Sequence, residues 1–168
     1  MNDDFFDSFT HSIAAARLLL EKAHDQGNFI EGLVLYASSV DALLRNLVAL
    51  KAGVKGKDGT SLDPRYFYHD DSKWMNERYV YGEALKYKII TQDEFEELGR
   101  LYSFRNIVIH RFIISNITYA QIAPELIKYE VIFKSLYNKL KEIEKPEKMS
   151  DKERAEVDQR IAKKIINS

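Results

Sequence analysis

Cysteine is absent from this 168-residue chain. Disulfides, thiolate nucleophiles and cysteine-based zinc sites are therefore excluded. Glycine and proline are scarce, at seven and three residues, so the chain has few of the punctuators that stop helices and build tight turns. Charge of one sign is also lacking: 25 Lys and Arg against 26 Asp and Glu leave a formal net charge of −1. That balance argues against a general electrostatic grip on nucleic acid, which shows as a basic domain, but permits a local basic groove, especially one assembled by two subunits. No run approaches the ~18–20 consecutive apolar residues of a membrane helix. The opening segment, MNDDFFDSF, has neither the basic start nor the apolar middle of a signal peptide. A cytoplasmic protein without a membrane association is the expectation.

What the chain does have is helical periodicity. Apolar residues make up 45% of it and charged residues 30%, the balance of a soluble domain with a real core. Phe6, Phe9, Ile13, Ala16 and Leu20 recur at helical spacing over 6–23, with Gly27 as terminator. A second helix is expected over 29–50 through Leu33, Tyr36, Val40, Leu43, Leu44 and Leu47, closed by Gly53. The two make an antiparallel hairpin. Residues 53–77 break this pattern and read as a long irregular excursion, which in a compact domain is often functional. A short helix follows over 77–87. Thr91-Gln-Asp-Glu94 is a capping box that opens a helix running to Arg111. Thr118-Tyr-Ala-Gln121 is a second box, opening a long helix to Ile143, and Ser150-Asp-Lys-Glu153 is a third, opening a short helix over 151–166. The expected fold is an all-α bundle of four to five main helices, with a domain over 1–145 and a C-terminal helical extension over 146–168, broken at Pro146. The Val157, Ile161 and Ile165 positions of that extension recur every four residues and need covering.

The stretch SFRNIVIHRF, Ser103 to Phe112, places polar groups in an apolar helix. At about 100° per residue, Leu98, Leu101, Val108, Ile109 and Phe112 fall within roughly 60° of Arg105, which puts Arg105 mid-stripe. A guanidinium keeps its charge, so burying it without partners is very costly. Asn106 and His110, four apart, share a flank roughly 100–140° round, beside Ser103 and Gly99. One reading is structural: Arg105 is an ion-pair hub, for instance to Asp41 on the second helix, and Asn106 with His110 is a satisfied half-buried pair.

The pattern also resembles the Arg-x4-His motif of the HEPN superfamily, with Arg105-Asn106-Ile107-Val108-Ile109-His110 carrying the match and Asn in the favoured place after Arg. The wider layout over residues 5–143 is similar too: a helical hairpin, an irregular excursion, then the motif helix. ASSVDALLRNLV resembles the family's second helix, with Asp41 where an acidic residue often sits. The resemblance implies a metal-independent endoribonuclease needing no cofactor, acting on RNA as a two-fold homodimer whose motifs meet across the interface. In that chemistry His110 takes the proton of a ribose 2′-OH, a task suited to an imidazole. Arg105 stabilises charge building on the phosphate. Asn106 orients His110 or the substrate, and Asp41 and Ser103 support the site. The products are a 2′,3′-cyclic phosphate and a 5′-hydroxyl, and DNA is inert. Such proteins serve as toxins of toxin–antitoxin or antiphage systems, some with a nucleotidyltransferase-like antitoxin. The chain departs from the toxins that extend the motif to Arg-x4-His-x-Tyr: its residue there is Phe112, with no hydroxyl to modify. Two other readings stand beside the ribonuclease: a catalytically inactive HEPN module that binds a nucleotidyltransferase-like partner or nucleic acid, and a plain helical interaction domain.

Other features are plainer. His69-Asp70-Asp71 offers metal-ligand types, but adjacent residues rarely supply a full shell, and a turn or helix cap suits them better. Tyr66, Phe67, Tyr68, Trp74, Tyr79 and Tyr81 form an aromatic cluster that suits anchoring a loop to the bundle, with base stacking as the alternative. The glycines from Gly53 to Gly59 lack phosphate-loop spacing and no strand precedes them. Lys51, Lys55, Lys57 and Arg65 read as a solvated loop, with an RNA contact as the alternative.

Overall fold

The computed structural model describes residues 3–53 and 75–144, with side chains described over 11–53 and 75–143. Five α-helices account for nearly all of it: α1 (Asp3–Asp25), α2 (Phe29–Ala52), α3 (Glu77–Lys86), α4 (Gln92–Arg111) and α5 (Tyr119–Glu144). A 3-10 turn, Phe112–Ile114, follows α4, and no strand occurs among the described residues. The expectation of an all-α bundle holds. The 54–74 excursion lies outside the described residues, with His69-Asp70-Asp71, Lys55, Lys57, Arg65, Tyr66, Phe67, Tyr68 and Trp74. So does 145–168, with Pro146, the third capping box and the expected C-terminal helix. The chain separates into two units, Met1–Tyr137 and Asn138–Ser168, and everything described below lies in the first.

Local signals set the helix ends. Gly27 and Gly53 adopt left-handed φ values of +67° and +57°, where a Cβ would be strained. The Gly53 N–H closes α2 on the carbonyls of Ala49 and Leu50. At the start of α4 the capping box is complete: Thr91 Oγ1 accepts from the Glu94 N–H at 3.1 Å, and Glu94 Oε2 accepts from the Thr91 N–H at 2.8 Å. Thr91→Ala is expected to cost about 0.5–2 kcal/mol, read as a lower urea midpoint with an unchanged m-value. Only half of the second box forms. Gln121 Oε1 accepts from the Thr118 N–H at 2.8 Å, but the Thr118 hydroxyl donates to the same oxygen and the Gln121 N–H goes to the Thr118 carbonyl.

α2 is the central helix and packs against α1, α3 and α4. Leu33, Val40, Leu43, Leu44, Leu47 and Val48 are at most 1% exposed, so it is covered on more than one face. By length and hydropathy α2 passes for a membrane span, yet more than half of its apolar window is buried in the bundle. α5 reaches α2 through large side chains: the Tyr36 and Phe133 rings meet edge-on at 6.0 Å, and Phe29 lies 5.7 Å from Tyr119. Gly32 permits this approach, since a Cβ there would sit 3.3 Å from the Leu126 side chain. α4 contributes Leu98, Leu101 and Val108 to the core, which fixes its rotation and so the direction of every other residue on it.

Candidate functional site

The rotation that buries Leu101 and Val108 turns Arg105 inward, and its side chain is only 12% exposed. Its partner comes from α3. Both carboxylate oxygens of Glu77, at 2.7 and 2.8 Å, accept from Arg105 Nη1. Glu77 is the first residue of α3, where a negative charge suits the helix dipole. Its Oε2 also accepts from the Tyr81 hydroxyl at 3.3 Å. The Arg105 guanidinium lies 4.8 Å from the centre of the Tyr102 ring, a cation–π contact. Its remaining edge, Nε and Nη2, donates to Asn106 Oδ1 at 3.3 and 2.9 Å. Burial alone would weaken the charge on Arg105, and the Glu77 carboxylate more than offsets it.

Asp41 is not Arg105's counter-ion. Its Oδ2 accepts from Arg45 Nε at 2.7 Å, and Arg45 Nη2 donates on to the Met75 carbonyl at 2.8 Å. The second carboxylate oxygen of Asp41 and the hydroxyl of Tyr129 are buried without a hydrogen-bond partner. Burial raises the Asp41 pKa despite the opposing pull of Arg45. Burial likewise raises the phenols of Tyr81 and Tyr129. Between α2, α3, α4 and α5 there is thus a polar knot inside an apolar bundle, with Arg105 and Glu77 at its centre.

Asn106 and His110 do not form a pair. The Asn106 oxygen is spent on Arg105, whose guanidinium only donates, and His110 is exposed with no hydrogen bond or ion pair among the described residues. Ser103 donates to the Gly99 carbonyl at 3.0 Å and accepts from Arg78 Nη2 at 3.3 Å. Tyr102, Asn106, Gly99, His110 and Ser103 lie roughly 60–160° round the helix from Arg105, so they make one contiguous polar stripe on α4. The apolar stripe, by contrast, is covered only in part. Ile109 is 44% exposed, and just past the helix Ile113 and Ile114 are 96% and 77% exposed. Phe112 turns back to stack on Tyr119 at 5.8 Å. Of the aromatic cluster, Tyr81 is buried and Tyr79 exposed.

Sequence reasoning identified Arg105 and the polar flank but missed Glu77, Arg78 and Tyr102. Tyr102 was accessible to it, since it stands one turn from Asn106. Glu77 was not, being 28 residues from Arg105 on a different helix. Among the described residues no group of three or more His, Asp or Glu is placed to hold a metal. Comparison with family models, curated proteins and solved structures found no match.

Proposed function

We propose that this chain is a HEPN-type, metal-independent endoribonuclease acting in the cytoplasm as a two-fold dimer, with Arg105, Asn106 and His110 at its site. The observation that carries the reading is the orientation of Arg105. Glu77 tethers Nη1 from behind, and the Nε–Nη2 edge is turned to the polar stripe, where its only acceptor among the described residues is a neutral amide. That edge is the fork that matches two phosphate oxygens, and a phosphodiester would displace the amide with a stronger, charge-assisted bond. Exposed His110, farther along the same stripe, is the base. It takes the proton of the ribose 2′-OH as the 2′-oxygen attacks phosphorus. The P–O5′ bond breaks, leaving a 2′,3′-cyclic phosphate, and the departing 5′-oxygen is protonated by the dimer's second histidine acting as acid. Arg105 stabilises the charge on the non-bridging oxygens. The exposed Ile109, Ile113 and Ile114 supply apolar surface for a subunit contact beside the motif. In this setting the protein serves as the toxic member of a toxin–antitoxin pair or as an antiphage effector.

A second reading is favoured by the Glu77 pair. A guanidinium held so firmly is also what a catalytically inactive HEPN module would show, one that binds a nucleotidyltransferase-like partner or nucleic acid. The two separate on substrate chemistry. Incubated in EDTA, a dimer by sedimentation is expected to cut single-stranded RNA and leave DNA of the same sequence whole, with cyclic phosphate ends on the RNA products. Equal cutting of both polymers would contradict the 2′-OH mechanism, and intact RNA would favour the inactive module.

A further inference from the structure

Arg78 is an exposed arginine whose contacts among the described residues are all to neutral groups. It is the second residue of α3, where the helix dipole disfavours a positive charge. It is exposed, and no carboxylate lies within ion-pair distance of it among the described residues. Most other described arginines are differently placed: Arg17, Arg45, Arg100 and Arg105 all pair with carboxylates. Instead Arg78 is held by neutral groups of α4. Its Nη2 donates to Ser103 Oγ, and its guanidinium lies 5.0 Å from the centre of the Tyr102 ring. Arg105 lies against that same ring at 4.8 Å. Two guanidinium groups from different helices therefore share one tyrosine, one neutralised by Glu77 and the other with its charge unspent.

Arg78 and Ser103 are both exposed among the described residues. A Cβ added at Gly99 would meet nothing within 4 Å. Gly99, Ser103, Asn106 and His110 follow one another along α4 at spacings of four, three and four residues, so they form a shallow track of small and polar groups. Ser103 and His110 are seven residues apart, about 10 Å along the helix axis. Arg78 meets the track at Ser103 and His110 stands at its far end, with Asn106, the acceptor for the Nε–Nη2 edge of Arg105, between them.

We propose that Arg78, positioned by Ser103 and the Tyr102 ring, is a phosphate-binding subsite for single-stranded RNA, holding the backbone one step away from the phosphate that Arg105 and His110 act on. The inference rests on the ribonuclease reading for its ligand, but its test needs no cleavage. An arginine fork on a neutral platform binds a phosphodiester as a charge-assisted, two-point contact and reads no base. The subsite therefore tightens RNA binding without setting sequence preference, and it grips RNA and DNA backbones alike.

The test uses the full chain carrying His110→Ala, so that RNA is not consumed, and a short fluorescent oligouridylate followed by anisotropy across a salt series. Adding Arg78→Gln, which keeps a hydrogen-bonding reach to Ser103 but removes the charge, is expected to weaken binding about tenfold. It should also reduce the slope of log affinity against log salt by about 0.7, the value for one phosphate contact on a single strand. Arg78→Lys should recover the slope but only part of the affinity, because a point charge replaces a fork. A deoxy oligomer should lose affinity by the same factor. Affinity and slope unchanged in Arg78→Gln would overturn the subsite while leaving the ribonuclease reading intact. Arg78-dependent binding by a wild type that cuts no RNA would do the reverse. A loss confined to RNA would show that the contact reads the sugar and would refute the phosphate assignment.

Discussion

Glu77→Ala is expected to lower the unfolding free energy by about 2–4 kcal/mol. Removing one partner of a buried ion pair costs about 3–5 kcal/mol because the other charge is left without compensation. The side chains of Arg105 and Glu77 are 12% and 22% exposed, so some water reaches the pair and the expectation is shifted about 1 kcal/mol below that range. The substitution also strips the Tyr81 hydroxyl of its acceptor. Glu77→Gln keeps the shape and an acceptor oxygen but not the charge, and should cost about half as much. Urea unfolding of the three chains measures this directly. A loss below 1 kcal/mol in Glu77→Ala would mean that the Tyr102 ring and Asn106 suffice to hold Arg105, and that Glu77 is incidental to the site.

Much of this architecture is legible in the sequence, and for identifiable reasons. Thr91 and Glu94 define the start of α4 by contacts that lie within one turn, so the sequence contains both partners. Gly27 and Gly53 end helices through a property of the residue itself, freedom at positive φ. Helical periodicity likewise placed Arg105 among apolar neighbours. It did not show how far along α4 those neighbours stay covered, which is why Ile109 shares the stripe yet emerges at the surface. The choice of Asp41 as counter-ion failed although its real partner was in view: Arg45 lies four residues on, the spacing at which side chains of one helix meet. Glu77 was out of reach, because its pairing with Arg105 depends on how α3 is set against α4, and no local spacing encodes that. Asn106 shows the same limit. Its spacing to His110 was right for a contact, but the adjacent guanidinium offers two donors and takes the oxygen first.

The other large effect is kinetic. His110→Ala is expected to reduce RNA cleavage by about 10²–10⁴-fold, the contribution of a positioned general base. It should leave stability within about 0.5 kcal/mol, because the side chain is exposed and makes no hydrogen bond or ion pair among the described residues. This separation distinguishes His110 from Arg105, whose loss would strand Glu77 and damage fold and activity together. It also separates the enzyme from the inactive module, in which His110 would be one more surface residue. The decisive measurement is therefore a time course of single-stranded RNA cleavage in EDTA by wild type and His110→Ala, purified alike and matched in thermal unfolding and sedimentation. The account predicts that wild type accumulates products with 2′,3′-cyclic phosphate ends while the variant, equally folded and equally dimeric, yields them at least a hundredfold more slowly. Equal rates in the two chains, or intact RNA with a dimeric wild type, would contradict it.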